Sequence, residues 1–297
     1  MKFANEVSVI SELEIHRKNV DLIQKEFLKL LNVKYKSCAN KVRNIVITDN
    51  LKSTMERYNY NNLNEKATAT TSRIGELNDI IVNYNNCISY IEGNYLLRSE
   101  VKCCLCHELQ HVRDRIKYDE FIVNYCEEQN ISYNQKIIGE MIFREFNAQF
   151  QGQSYSPILW EFNKYSLESN VQKYHVMFIN IDEEIKKLNN LEMVQEKLEE
   201  IATEVLNFTR NLMYDMSISF GSNAADNRTE QGKKFINIVI EGINDGIDEI
   251  LNNFIKGFNE RISNNKELII YSLENSLVVY NFINDIFKKT IKEISLS

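Results

Sequence analysis

Apolar residues recur at Val9, Ile10, Leu13, Ile15, Val20, Leu22, Ile23, Phe27, Leu30 and Leu31, and this spacing predicts an amphipathic helix from Val7 to Leu31. The pattern then shortens. Arg43 to Thr48 is a β-branched run that predicts a buried strand, and Leu51 to Tyr58 has room for one or two helical turns. Ala67 to Ile74 predicts a second strand, Gly75 a turn, and Asp79 to Tyr84 a third strand. From there onward the period is helical. The expected helices are Glu92 to Ile116, Tyr133 to Gln151, and the ranges 167–189, 191–216, 228–262 and 266–293. Breaks are expected at Ser156-Pro157, at Gly221-Ser222-Asn223 and at Ser263-Asn264-Asn265.

Composition reinforces this picture. One proline and nine glycines among 297 residues favour long helices over a many-stranded sheet. A formal charge of −7, with no basic block, argues against binding to a nucleic-acid backbone. The charged start and the absence of a long apolar run argue against a signal peptide or a membrane span, so a cytoplasmic protein is expected. Six cysteines are too few for a disulfide scaffold, and three of them crowd into Cys103-Cys104-Leu105-Cys106, so reduced thiols are expected. The spacing admits a Cys/His metal site or a redox pair, but no second Cys pair follows. Small buried thiols are the simpler reading.

The chemistry-bearing segment is His107-Glu108-Leu109-Gln110-His111. Four residues apart on a helix, the two imidazoles share one face and can reach one Zn²⁺ at about 2.0–2.1 Å each. Glu108, beside the first ligand, can accept a proton from a water held by the metal and return it to a leaving amine. A third ligand is sought on the next long helix. Glu145 is the first choice, because a carboxylate on so apolar a helix needs a partner, with an ion pair to Arg113 or Arg115 as the other explanation. Glu140 is the alternative third ligand. Asp114, one turn beyond His111, can orient a ligand or pair with Lys117 or Arg115.

The run from His107 to Asp114, followed by Glu145-Phe146-Asn147-Ala148, resembles a minimal gluzincin, in which a His-Glu-x-x-His helix is followed by a Glu-x-x-Ala helix. The resemblance covers roughly residues 45–155. It implies a zinc metallopeptidase acting on a peptide or protein, with His107, His111 and Glu145 as ligands and Glu108 as catalytic base. Asp114 and Lys117 stand where a metzincin needs Gly and a third His or Asp, and the thermolysin-like Asn-Glu-x-x-Ser-Asp signature is absent. No residue is marked as a transition-state stabiliser; Tyr118, Tyr133, Tyr155 and His175 are the candidates. His16 reads as a surface residue of the first helix, His175 as a core histidine and Trp160 as core at a junction. Phosphate-binding glycine loops and a serine nucleophile elbow are missing.

The expectation is a predominantly helical α+β protein. Residues 1–160 would form a zincin-like domain with a small sheet and an N-terminal helix, and residues 161–297 an all-helical portion. Membrane and nucleic-acid partners are not expected, and the oligomeric state stays open. The alternative function is a non-catalytic helical interaction or regulatory protein with a structural or degenerate metal site. A helical scaffold for which the motif is accidental is a third reading.

Overall fold

The computed structural model describes residues 8–11, 17–57, 67–91, 94–157, 167–226 and 236–296. His16, Trp160, Leu13 and Ile15 lie outside the described residues. The chain is a predominantly helical α+β protein. It divides into two compact units, one of residues 1–121 with 147–159 and the other of residues 122–146 with 160–297. Segment 122–146 groups with the later helices in this division.

All the strands described lie in the first unit. β1 (Ser8–Ser11), β2 (Val42–Thr48), β3 (Ala69–Ile74) and β4 (Leu77–Asn83) form one sheet in the order β1-β2-β4-β3. β1 and β4 run parallel to β2, and β3 runs antiparallel to β4 at the edge. Gly75, at φ +61°, closes the tight β3–β4 turn where a side chain would be strained. β5 (Ile88–Ile91) and β6 (Asn94–Leu97) make a separate antiparallel pair. Alternation along the central strands sets one face of the sheet. Ile45, Ile47, Ile80 and Val82 join a buried cluster with Ile23, Phe27, Leu30 and Leu31 of α1 (Arg17–Val33) and with Leu105, Leu109 and Val112 of α3 (Ser99–Glu128). Asp79, fully buried on β4, accepts hydrogen bonds from Arg43 and Asn44, which satisfy an otherwise costly charge.

α2 (Leu51–Arg57) follows β2. α3 and α4 (Tyr133–Tyr155) are the two long helices that carry the candidate site. No Gly or Pro interrupts α3, and Glu100 sits favourably in its first turn. It ends at Asn130, whose φ of +52° lets Ile131 N–H reach back to Cys126 O. α4 opens with Ser132 and Gln135, whose side chains each reach the other's backbone N–H in a reciprocal cap.

The second unit adds α5 (Leu167–Lys187), α6 (Leu191–Asp226), α7 (Asp245–Arg261), α8 (Asn265–Asn275) and α9 (Val278–Leu296). Several elements differ from those the sequence predicts. Val9 and Ile10 belong to strand β1, because their adjacent β-branched pair fits a strand ladder better than the helical stripe that starts at Val20. The expected helix 92–116 begins only at Ser99, since β6 occupies Asn94–Leu97. α6 runs through Gly221-Ser222-Asn223, because Phe220, Gly221 and Ser222 are buried and packing outweighs their weak propensity. Residues 236–244 are not helical, and 266–293 divides at Ser276, whose hydroxyl donates to Gln135 O and Leu273 O.

Candidate metal centre

α3 places His107 and His111 one turn apart. Their Nε2 atoms are 3.0 Å from each other, with the rings edge to face at 77°. Leu105, Leu109 and Val112 anchor the opposite stripe of the helix in the core, which fixes the direction of the histidines. Glu145 of α4 completes a group in which one ligand atom from each of the three residues lies within 4.8 Å of the others. This group can hold a metal ion. Donors in a tetrahedral shell of ~2.0–2.1 Å radius stand roughly 3.3–3.4 Å apart, so the histidine pair sits a little inside that spacing.

The hydrogen bonding around His107 fits a ligand. Its Nδ1 lies 3.2 Å from Gln149 Oε1, an atom that only accepts. Nδ1 therefore carries the proton, and Nε2 of the neutral ring turns a lone pair toward His111. A bound ion would take a lone pair from each of the two Nε2 atoms. Gln149 lies four residues after Glu145, so one face of α4 supplies both a ligand and the group that orients another.

Glu108 is 8% exposed and accepts a 2.7 Å hydrogen bond at Oε2 from the Thr71 hydroxyl of β3. The same hydroxyl lies 3.2 Å from Glu108 O, so the edge strand is pinned to α3 at this residue. Asp114, 1% exposed, accepts from Gln110 Nε2 at 2.7 Å and from Asn147 Nδ2 at 2.9 and 2.8 Å. It thereby ties α3 to α4 beside the histidines. Arg115, one of its expected partners, donates to Asn78 Oδ1 at 2.7 Å. Glu140, the alternative ligand, is paired instead with Arg144 at 3.3 Å and Lys136 at 4.0 Å.

The cysteines contribute packing. Cys103 and Cys106 are buried, and Cys106 Sγ lies 3.2 Å from both Gln151 O and Tyr35 Oη. Burial pushes both thiols up, which keeps them protonated. Of the four proposed oxyanion partners, Tyr155 donates to Glu26 and His175 Nδ1 donates to Ile243 O. Tyr133 is exposed, and Tyr118 is buried with Lys117 over its ring. Thr71 and Gln149 escaped the sequence reading. Gln149 had a signal in its four-residue spacing from Glu145; Thr71 had none, because only the tertiary fold brings β3 to α3.

Compared with protein-family profiles, curated proteins and solved structures, the chain finds no match.

Proposed function

We propose that this protein is a zinc-dependent metallohydrolase, a peptidase of the gluzincin type, with His107, His111 and Glu145 as metal ligands and Glu108 as general base. The observation that carries this reading is the meeting of those three donor groups beside Glu108. Bound there, Zn²⁺ supplies Lewis acidity and a water whose pKa falls to about 7. Thr71 anchors the Glu108 carboxylate at Oε2 while Glu108 takes a proton and returns it to the leaving amine. Gln149 keeps His107 in the tautomer that presents Nε2. A peptide substrate is favoured by β3, which pairs with only one neighbour among the described strands. An extended peptide laid along the side of β3 away from β4 would run past Thr71 and so past Glu108.

A structural metal site on the same ligands is the second reading, favoured by the burial of Glu108 and its bond to Thr71. The two part on one substitution. Elemental analysis should find about one zinc per chain, lost in His107→Ala. Glu108→Gln should keep that zinc while hydrolysis of a peptide library falls by a factor on the order of 10² or more. Undiminished hydrolysis in Glu108→Gln removes the general-base role. A zinc-loaded wild type that cleaves no peptide supports the structural site.

A further inference from the structure

Residues 236–244 enter α7 without a helix or a strand ladder of their own, yet their backbone is densely paired. The partners are side chains. Asn259 accepts from Ile236 N–H and donates to Ile236 O, both at 3.0 Å. Asn252 does the same for Ile240, at 3.0 and 2.9 Å. Asp248 accepts from the N–H groups of Gly242, Ile243 and Asn244. Asn223 accepts from Asn237 N–H at 3.1 Å, and His175 Nδ1 donates to Ile243 O at 2.8 Å.

One amide can pair with both the N–H and the C=O of a single residue only where that backbone is extended and the two groups point the same way. Ile236 and Ile240 are an even number of residues apart, so both present that edge to α7. Asn252 and Asn259 are two helical turns apart on α7 and share a face. Three side chains of the segment, Ile236, Ile240 and Ile243, are at most 4% exposed, whereas Val239 is 64% exposed. The cradle therefore reads backbone along the segment and aliphatic side chains at three positions, with Gly242 at φ +93° turning the chain into the cap that Asn244 makes on α7.

We propose that α7, with Asn223 and His175, is a clamp for extended polypeptide. It is filled by residues 236–244, and a separate peptide with aliphatic residues at its first, fifth and eighth positions can take their place. Backbone pairing is largely indifferent to sequence, so a chain with that spacing and a glycine at its seventh position, where Gly242 holds φ +93°, can repeat the contacts from Ile236 to Ile243. The resident segment wins by its high effective concentration, and a peptide added in trans binds well once that advantage is removed.

The probe is a fluorescein-labelled peptide with the sequence of residues 236–244, flanked by lysines for solubility, read by fluorescence anisotropy on the full-length chain. Ile236→Asp with Ile240→Asp expels the resident segment. This variant should bind the peptide at least tenfold more tightly than the wild type. Adding Asn252→Leu and Asn259→Leu should cost at least tenfold, and a peptide with Pro at its fifth position, lacking the N–H that Asn252 accepts, should not bind. A folded variant that binds no peptide, or binding untouched by the two Asn→Leu changes, overturns the proposal. Amide exchange in the wild type gives a second test. Ile236 and Ile240 N–H should exchange through a local opening easier than global unfolding, and exchange only with global unfolding also overturns it.

Discussion

Gln149 faces the nitrogen of His107 that a metal would not use, and its neutral amide makes a testable difference. A hydrogen-bond acceptor on the far side of a ligating imidazole fixes both tautomer and ring orientation, and losing one typically weakens metal binding by about 10–100-fold. Gln149→Leu, close in volume but without the acceptor, should therefore lower zinc affinity by that factor in a chelator competition while the far-ultraviolet spectrum stays native. Gln149→Glu keeps the acceptor and should restore the affinity. The carboxylates on α4 can be ranked in the same assay. Glu145→Ala should weaken zinc binding at least tenfold. Glu140→Ala breaks ion pairs to Arg144 and Lys136, neither of which is a proposed ligand, and should leave affinity within about twofold. The opposite ranking would transfer the ligand role to Glu140. The histidine pair was legible from residue type and helical spacing, and Glu145, whose ligand atom lies within 4.8 Å of theirs, from the presence of a carboxylate on an apolar helix. Thr71 was not, since its bond to Glu108 spans thirty-seven residues of chain.

At the scale of elements, the approach of α3 and α4 is set by a glycine. A Cβ at Gly152 would sit 2.7 Å from Cys103 O and 2.9 Å from Cys103 Sγ. Ala148, one turn earlier, is fully buried as well. Gly152→Ala should push α4 away from α3, costing about 1–3 kcal/mol in a urea titration. It should also loosen zinc binding, because Gln149 rides on the same turn region. Unchanged affinity would mean that the shift is absorbed before it reaches the histidines. The elements themselves were readable where one pattern ran alone: β2, β3, β4 and α4 fall within a few residues of their expected places. α2 and α5 do as well, and competition between patterns hid some of the rest. The β5–β6 pair had a signal in the two-residue Glu92-Gly93 link between apolar runs, but the helical phase of the following residues masked it. Residues 236–244 look helical in composition, but Asn252, Asn259 and Asp248 supply hydrogen bonds that a helix would have to make for itself.

For the whole molecule, the buried acids that must stay neutral govern the response to pH. Burial pushes the Cys38 thiol up to about 11 and the Cys87 thiol up to about 12. It also drives Cys103 well above the usual thiol range. The Tyr35 and Tyr174 hydroxyls are raised far beyond the ordinary phenol value, by burial first and then by Cys106 and Asp215 respectively. In the unfolded chain these thiols release their protons near pH 8.5 and the phenols near pH 10. The folded protein therefore holds its protons more tightly than the unfolded chain does. The stability tied to them is fully present below about pH 8.5 and is lost as pH rises through about 11 and 12 for Cys38 and Cys87. The urea midpoint should be level between pH 7 and 8 and fall steadily from pH 9 to 10.5. Over the same interval iodoacetamide should begin to label Cys38 and Cys87, which resist it at pH 7 because the thiolate is the reactive form. A midpoint that stays level to pH 10.5, with both cysteines already labelled at pH 7, would place those thiols in water and contradict the core described for the first unit.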